Sequence, residues 1–384
     1  MNKDWEYIKL SDACTIHGRI GWQGLTRAEH KRSGDYLLIT GTDFTEDNKI
    51  NLDTCVYVDE FRYTQDENIQ IRKNDLLITK DGTLGKLALI TEDLPKPATL
   101  NGGIFVIRDK INKLYPPFLL NYMKSDAFRK IIHNHRTGST VPHLTQNMLV
   151  NFPIPVPPLE EQKRLVKILD EKFAQLETIK TNAQTNLQNA KDLFQSQLTK
   201  AFSKATWEKK RLDEVCSRIF AGGDKPQIVS KEISKTCQIP IFANAITDDG
   251  LYGYTNEATV FDKCLTISAR GTIGFTCIRN KPFVPIVRLL VLIPKDGINI
   301  SYLKYGCDTL TITNTGSSIP QLTVPMIKDY KIPLPPLSEQ KRIVEELDTL
   351  SEKVRQLQEI YTKQIADCDE LKQSLLQKAF TGEL

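Results

Sequence analysis

Ile154 to Arg164 reads IPVPPLEEQKR, and Ile332 to Arg342 reads IPLPPLSEQKR. Each stretch opens a long segment that closes on Lys-Ala-Phe, ending at Phe202 in the first copy and at Phe380 in the second. Extended backwards through TGSTVPHLT and TGSSIPQLT, the two copies keep one gapless register over roughly 68 positions, which predicts an internal duplication.

Each repeated stretch predicts an extended strut followed by a helix. Proline fixes φ, lacks a backbone donor and pushes the preceding residue towards extended geometry, so the IPxPP run favours neither a helix nor a central strand. The acidic residues that follow suit the first turn of a helix, where the macrodipole favours negative charge. We therefore expect helices to begin near residues 159 and 337.

The segment after the second strut has a heptad seam, because its apolar residues alternate in steps of four and three over about four to five heptads. The seam positions are Ile343, Leu347, Leu350, Val354, Leu357, Tyr361, Gln364, Cys368, Leu371 and Leu375. The first segment has a looser seam, made of Leu165, Leu169, Leu176, Ile179, Ala183, Ala190 and Leu193. Lys172 and Asn186 interrupt it, and Phe173, Leu187 and Phe194 widen it on one side.

A helix of about 44 residues spans about 66 Å, which is longer than one small domain supports. The equal lengths and matching seams indicate that the two helices pair with each other. Two unrelated surface helices are the alternative.

Four segments follow from the repeats. Residues 1–152 and 205–331 form two globular heads, and residues 153–204 and 332–384 form the two struts with their helices. Both heads read as mixed α/β domains with many turns. Their interiors differ while their edges repeat, which suits two readers of different targets on one shared frame.

The composition is that of a soluble globular protein with room for two or three domains. The chain has 384 residues, of which 40% are hydrophobic and 26% charged. It contains no apolar run of 18 residues and no apolar stretch near its start, which predicts neither a membrane span nor a secretion signal. We expect a cytoplasmic protein.

The charge is distributed unevenly. Residues 332–384 contain 7 Lys/Arg against 10 Asp/Glu, a net charge of −3, which leaves 44 against 37, or +7, for the rest of the chain. This mild basic excess is compatible with phosphate contacts. The 8 cysteines form no CxxC pair, so we expect buried reduced thiols and no zinc site or disulfide framework.

Glycine turns follow a predicted strand in each head. The first is Lys80-Asp81-Gly82-Thr83-Leu84-Gly85, and its counterpart is Arg270-Gly271-Thr272-Ile273-Gly274. Glycine permits positive φ and close backbone approach. The GxxxxGK[ST] spacing of a nucleotide-binding loop is absent, which argues against that function.

Two further loops are candidates for ligand contact. The Gly/Arg-rich loop around His17-Gly18-Arg19 could meet a sugar-phosphate backbone, or it could be an ordinary solvated loop. His133, His135 and His143 lack a carboxylate or cysteine at ligand spacing, and Gln321 replaces His143 in the second copy. A position shared by His and Gln suits hydrogen bonding better than metal ligation, so no metal site is predicted.

Over nearly its whole length the chain resembles a specificity subunit of a type I restriction-modification system. The TGSxxPxLT stretches, the two IPxPPLxEQKR starts and the closing KAFTGEL carry the resemblance. It implies two target recognition domains that each read one half of a bipartite, asymmetric DNA sequence. It also implies that the long helices form an antiparallel coiled coil that sets the spacing between the halves.

The resemblance further implies partner subunits. Two methylation subunits would dock on the helices and bring S-adenosylmethionine, and translocase-nuclease (restriction) subunits would use ATP and Mg²⁺. We find no FxGxG loop, no NPPY/F element, no Walker loop and no Asp/Glu/Lys nuclease cluster in the sequence, so this chain itself is expected to be non-catalytic and to bind no cofactor. The resemblance implies that its own ligand is double-stranded DNA.

Base-edge contacts carry sequence information, whereas Lys, Arg and backbone donors position a protein on phosphates. The candidate DNA-binding residues are Lys80, Thr83, Asn101, Arg136, Ser139 and His143 in the first head and Asn244, Arg270, Thr272, Arg288, Ser317 and Gln321 in the second. The candidate subunit-interface residues are Gln162, Arg164, Gln340 and Arg342. A two-headed adaptor that joins protein partners without reading bases is the alternative function.

Overall fold

A computed structural model describes residues 5–21, 24–134, 144–203, 206–310 and 321–384, with side chains described throughout except at 131–134. The chain divides into two compact units. The first comprises Met1–Asn182 with Lys363–Leu384, and the second comprises Ala183–Thr362.

The first unit contains the first head. Its strands are β1 (Tyr7–Lys9), β2 (Cys14–Gly18), β3 (Tyr36–Ile39), β4 (Val56–Val58), β5 (Leu76–Thr79), β6 (Leu87–Leu89), β7 (Ala98–Leu100), β8 (Ile104–Asp109) and β9 (Pro153–Pro155). Its helices are α1 (Leu10–Ala13), α2 (Glu60–Thr64), α3 (Pro116–Met123), α4 (Asp126–Asn134) and α5 (Gln146–Val150). The long helix α6 (Leu159–Phe202) follows β9.

The second unit contains the second head. Its strands are β10 (Lys209–Arg211), β11 (Cys216–Ala221), β12 (Ile239–Phe242), β13 (Leu251–Thr255), β14 (Cys264–Ile267), β15 (Thr276–Arg279), β16 (Val284–Pro285), β17 (Leu290–Pro294) and β18 (Lys331–Pro333). Its helices are α7 (Leu212–Val215), α8 (Ile300–Asp308) and α9 (Val324–Asp329), and the long helix α10 (Leu337–Thr381) follows β18.

The two heads have the same sheet topology. The antiparallel sheet β2-β8-β5-β6 of the first head corresponds to β11-β17-β14-β15 of the second, and β4-β3-β7 corresponds to β13-β12-β16. In the smaller sheet the central strand pairs antiparallel on one side and parallel on the other in both heads. The predicted duplication and the mixed α/β class are therefore confirmed.

The predicted struts are extended, and each pairs with the start of its own head. Ile154 of β9 lies opposite Ile8 of β1, and Ile332 of β18 lies opposite Lys210 of β10, both in short antiparallel ladders. Ile154 and Ile332 are fully buried. Proline is tolerated here because a two-stranded ladder has a free edge where its missing donor is not needed.

Both long helices begin where the sequence predicts, at Leu159 and Leu337. In the first unit the start of α6 packs beside the end of α10, since Leu165 and Leu169 share one core with Leu376 and Phe380. In the second unit the end of α6 packs beside the start of α10, where Leu198 meets Leu347. The start of one helix pairs with the end of the other in both units, so the helices run antiparallel as a coiled coil.

Burial follows the predicted seam at some positions and is shifted by one residue from it at others. Leu169, Leu176, Ala183, Leu347 and Val354 are buried as expected. Ile179, Leu193, Leu357 and Leu371 are 41%, 46%, 36% and 50% exposed. The less exposed neighbouring positions are Lys180, Phe194, Gln358 and Lys372. The cross-helix ion pair of Lys180 Nζ with Asp369 Oδ1, at 2.7 Å, marks this register in the first unit.

The cysteines are reduced, and all but the half-buried Cys277 are buried. Burial raises the pKa of the Cys14 and Cys216 thiols to about 12, which keeps both protonated at neutral pH. Within the described ranges, no helix combines the length and the apolar character that crossing a bilayer requires.

Candidate nucleic-acid interface

A glycine turn follows the same strand in each head. In the first head Gly82 and Gly85 have φ of 71° and 81°, and in the second Gly271 and Gly274 have φ of 67° and 90°. The Gly85 N–H donates to the Thr79 carbonyl at 2.9 Å, and the Gly274 N–H donates to the Ser268 carbonyl at 2.9 Å. Positive φ at both ends of the turn explains why glycine recurs there.

Lys80, at the start of the first turn, ties three segments together. Its N–H donates to the Gly103 carbonyl at 2.8 Å, and its carbonyl accepts from the Leu144 N–H at 3.0 Å. Its ammonium lies 4.7 Å from the centroid of the Phe105 ring. The backbone thus brings the turn, the glycine loop before β8 and the end of the TGSxxPxLT stretch to one edge of the first head.

The other predicted residues of this edge differ in exposure. Thr83 is exposed at the tip of the turn, whereas Asn101 is half-buried. The Asn101 side-chain oxygen accepts from the Gly102 N–H at 2.7 Å, so it shapes its own loop. The structure therefore brings Lys80, Thr83 and Asn101 into neighbouring segments, with Thr83 the most accessible to a ligand.

The equivalent edge of the second head presents an arginine held by a glutamine. Arg270 is exposed, and its Nε and Nη2 both donate to Gln321 Oε1, at 3.1 and 2.7 Å. The Leu322 N–H donates to the Ala269 carbonyl at 2.9 Å, which repeats the contact between Leu144 and Lys80. Two of the predicted residues are thus in direct contact, and Thr272 is exposed at the tip of the same turn.

Asn244 is half-buried, and its side chain joins two loops by hydrogen bonds. Its Nδ2 donates to the Val287 carbonyl at 2.6 Å, and its Oδ1 accepts from the Ala269 N–H at 2.7 Å. It therefore joins the loop after β16 to the start of the glycine turn. DNA binding by Asn244 stays a prediction. Its two hydrogen bonds support a role in positioning these loops.

The loop after β16 is strained, which sequence reasoning missed. Val287 and Arg288 have φ of 53° and 62°, and both are exposed. A β-branched residue in this conformation is an outlier, and such strain concentrates at functional sites. The signal in the sequence is the pair of small residues Gly222 and Gly223, whose carbonyls accept the N–H groups of Arg288 and Val287 at 3.1 and 2.9 Å.

Asp81 is a second residue that the sequence prediction overlooked. In the equivalent turns, Asp81 takes the position of Arg270, since Thr79 corresponds to Ser268 and Gly82 to Gly271. Both side chains are exposed. Aspartate only accepts hydrogen bonds and arginine only donates them. The equivalent position of the turn therefore carries a hydrogen-bond acceptor in the first head and hydrogen-bond donors in the second.

The Gly/Arg-rich loop near the start of the chain does not offer its arginine to a ligand. Arg19 is 3% exposed. It donates to the Leu100 carbonyl at 2.9 Å and to Thr99 Oγ1 and Gln65 Oε1 at 3.2 Å. Burial lowers the pKa of its guanidinium below the usual value. This side chain stabilises the fold of the first head.

The helix-start glutamines are buried within their own units, which runs against the interface expectation for both. Gln162 is fully buried and Gln340 is 2% exposed. Gln162 donates to the Lys113 and Pro157 carbonyls, both at 2.8 Å, and Gln340 donates to the Pro335 carbonyl at 2.9 Å. Neither amide has surface left for a partner subunit.

The helix-start arginines remain accessible. The Arg164 and Arg342 side chains are each 47% exposed and pair with Glu161 and Glu339 one turn earlier. Their assignment to a subunit interface stays a prediction. Arg136, Ser139, His143 and Ser317, which were predicted to bind DNA, lie outside the described residues.

Comparisons with known proteins match both halves of the chain. Residues 2–187 and 204–364 each match the sequence model of the type I restriction modification DNA specificity domain. A Mycoplasma pneumoniae protein named as a type I specificity subunit is 30% identical over 266 residues, covering 66% of this chain and 77% of that protein. The MjaX type I specificity subunit of Methanocaldococcus jannaschii is 25% identical over 417 residues, covering 100% of this chain and 94% of that protein.

Solved structures share the fold. A chain from a study of complex assembly and conformational transition of the type I R-M system has a TM-score of 0.82 at 23% identity, over 99% of this chain and 98% of that one. The HsdS subunit of Thermoanaerobacter tengcongensis has a TM-score of 0.62 at 23% identity, over 100% and 98%. Since one family model matches both halves, this chain belongs to the type I restriction-modification DNA specificity family, as a specificity subunit with two copies of the domain.

Proposed function

We propose that this chain reads a bipartite, asymmetric double-stranded DNA sequence, one half with each head, and directs adenine methylation and restriction by partner subunits. The chain itself is non-catalytic in this proposal. Two methylation subunits supply S-adenosylmethionine chemistry, and restriction subunits supply ATP-driven and Mg²⁺-dependent steps. In this proposal the paired long helices set the number of unread base pairs between the two half-sites.

One observation carries the proposal: the two heads repeat a single backbone frame and differ at its exposed edge. The glycine turn and the hydrogen bond that joins it to Leu144 or Leu322 are the same in both. The side chain at the exposed corner is Asp81 in one head and Arg270 in the other. Aspartate suits the cytosine amino group and arginine suits guanine, so one frame with two chemistries fits two different half-sites.

A gel-shift panel tests this reading. The chain is mixed with its methylation subunit and with duplexes that carry randomised sequence, and retained duplexes are sequenced. We expect enrichment of a split motif whose two halves are separated by unread positions. Equal retention of all sequences would refute base readout and would favour the adaptor that joins protein partners.

Sequencing of modified adenines in the genomic DNA of the host gives an independent test. We expect methylated adenines in both halves of one split motif, with a constant number of unread base pairs between them. Methylation at an unbroken motif would contradict the assignment of one half-site to each head.

A further inference from the structure

A cavity of about 760 Å³ lies in the first unit. Its wall combines the loop from Phe44 to Asn48, the end of the glycine turn with the start of β6 (residues 85–87), the junction of α3 with α4, and one face of α10. This size is within the range of small-molecule sites, which run from about 300 to about 1,000 Å³.

Two lysines that line this cavity lie near the same aromatic ring. Lys124 and Lys372 both line it, and their ammonium groups lie 5.7 and 5.2 Å from the centroid of the same aromatic ring, that of Phe173. Both lysines are half-buried, and the exposed Lys86 and Arg129 bring the cationic side chains of the wall to four. Burial, and then the charge of Lys372, lower the pKa of Lys124 to about 8.

Three carboxylates line the cavity, those of Glu46, Asp47 and Asp369, and none of the three forms an ion pair with Lys124 or Lys372. Asp369 in the cavity wall pairs with Lys180 at 2.7 Å, and Asp47 pairs with Lys49 at 3.2 Å. Asp170 favours the charged form of Lys124 only through space. Among the residues that the structure describes, no carboxylate lies within 4.0 Å of the Lys124 or Lys372 ammonium.

We propose that this cavity binds a phosphate group, with Lys124 and Lys372 as its ligands and Arg129 at its rim. Two ammonium groups that share one aromatic ring repel each other, and an anion between them converts that repulsion into two charge-assisted hydrogen bonds. The ring of Phe173 favours the cations without neutralising them. Phosphate fits this site because it accepts several hydrogen bonds at once. The group could belong to a small phosphate compound or to a nucleic-acid backbone.

The test uses the full chain and inorganic phosphate in titration calorimetry at pH 7. We expect saturable binding that weakens at least tenfold in Lys124→Gln and in Lys372→Gln. Lys163→Gln, which removes an exposed lysine of the same unit whose partner is Glu160, is the matched control and should bind phosphate as the natural chain does. Circular dichroism of each variant checks that it is folded.

A second arm separates the two sources of phosphate. If a nucleic-acid backbone occupies the cavity, an excess of random duplex displaces phosphate, and the two cavity variants lower the salt dependence of duplex binding by about one counterion per lost contact. If a small phosphate compound occupies it, the duplex leaves phosphate binding unchanged. Absence of saturable phosphate binding by the natural chain, or equal binding by the Lys124→Gln, Lys372→Gln double variant, would overturn the proposal.

Discussion

The side-chain oxygen of Gln162 accepts a hydrogen bond from the backbone N–H of Tyr115 at 2.7 Å, and the oxygen of Gln340 accepts one from Asn299 at 2.8 Å in the same way. Gln162 thereby joins the start of α6 to the residue just before α3, and Gln340 joins the start of α10 to the residue just before α8. The glutamine of each EQKR sequence is thus explained by an internal contact.

We expect Gln162→Met to lower the free energy of unfolding by about 3 kcal/mol or more. Methionine has a similar volume, but it leaves the Tyr115 N–H and two carbonyls buried without partners, and each such group costs about 1–3 kcal/mol. Urea denaturation measures the change. Lys163→Met, at the exposed neighbouring position, should stay within about 0.5 kcal/mol of the natural chain. Equal effects of the two substitutions would show that the amide contacts do not stabilise the unit.

Two leucines on α10 test the register of the coiled coil. Leu376 is fully buried and Leu371 is 50% exposed, although the heptad pattern of the sequence selects Leu371. Leu376→Ala should cost about 2–5 kcal/mol, because it leaves a cavity in the core of the first unit. Leu371→Ala should change stability by no more than about 0.5 kcal/mol. A larger loss of stability in Leu371→Ala than in Leu376→Ala, measured by urea denaturation, would support the register predicted from the sequence instead.

The strained Val287 should be a site where stability and recognition oppose each other. Val287→Gly removes the strain of a positive φ, which costs about 1–3 kcal/mol in a residue with a side chain, so we expect a rise in unfolding free energy. Ile246→Gly is the control, since Ile246 is also exposed but has an ordinary φ of −91°, and it should destabilise. We expect the Val287 variant to discriminate less at the second half-site in the gel-shift panel. A loss of stability in this variant would contradict the strain.

Arg270 should determine one base pair of the second half-site. Arg270→Ala removes the guanidinium that Gln321 holds, and a good bidentate contact is worth about 1–3 kcal/mol of discrimination, or about 5-fold to 150-fold. We expect relaxed sequence preference at one position of that half-site and no change at the first. Arg211→Ala, which removes an arginine paired with Asp213 and Asp329, is the control. A uniform loss across all sequences would identify Arg270 as a phosphate contact instead.

Lys124 should make the stability of the first unit depend on pH. Its pKa is lowered to about 8 from its ordinary value of 10.5, so the unfolded chain binds more protons between these values. The contribution of Lys124 to stability therefore rises as pH increases through this window. Lys124→Met should be more stable than the natural chain at pH 7 in phosphate-free buffer, with a smaller advantage at pH 9.5. A constant advantage in urea denaturation would show that the charge is not destabilising.

The parts of the fold that the sequence predicts correctly depend on local rules. Proline restricts its own backbone and that of its neighbour, and acidic residues favour a helix start, so the struts and the starts at Leu159 and Leu337 could be placed within a residue. The duplication can be recognised in the sequence because the repeated stretches keep one gapless register.

The parts that it misses depend on contacts far along the chain. Gln162 is buried by Lys113 and Tyr115, almost fifty positions earlier, and nothing near Gln162 reveals them. The seam of α10 is set by its partner helix, so Lys372 replaces the more apolar Leu371 beside Phe173. At the glycine-turn edge, the sequence alone aligns Asp81 with Arg270, but the contact of Arg270 with Gln321, 51 positions later, is seen only in the structure.

The division of the chain into a continuous and a discontinuous unit also affects the order in which the two heads can finish folding during translation. The second unit is one continuous segment, Ala183–Thr362, whereas the first unit needs Lys363–Leu384, which are synthesised after the whole of the second unit. Leu376, Ala379 and Phe380 from that tail are buried in the core of the first head. The head that is synthesised first is therefore the one that is completed last, and it stays unfinished until the final turns of α10 reach it.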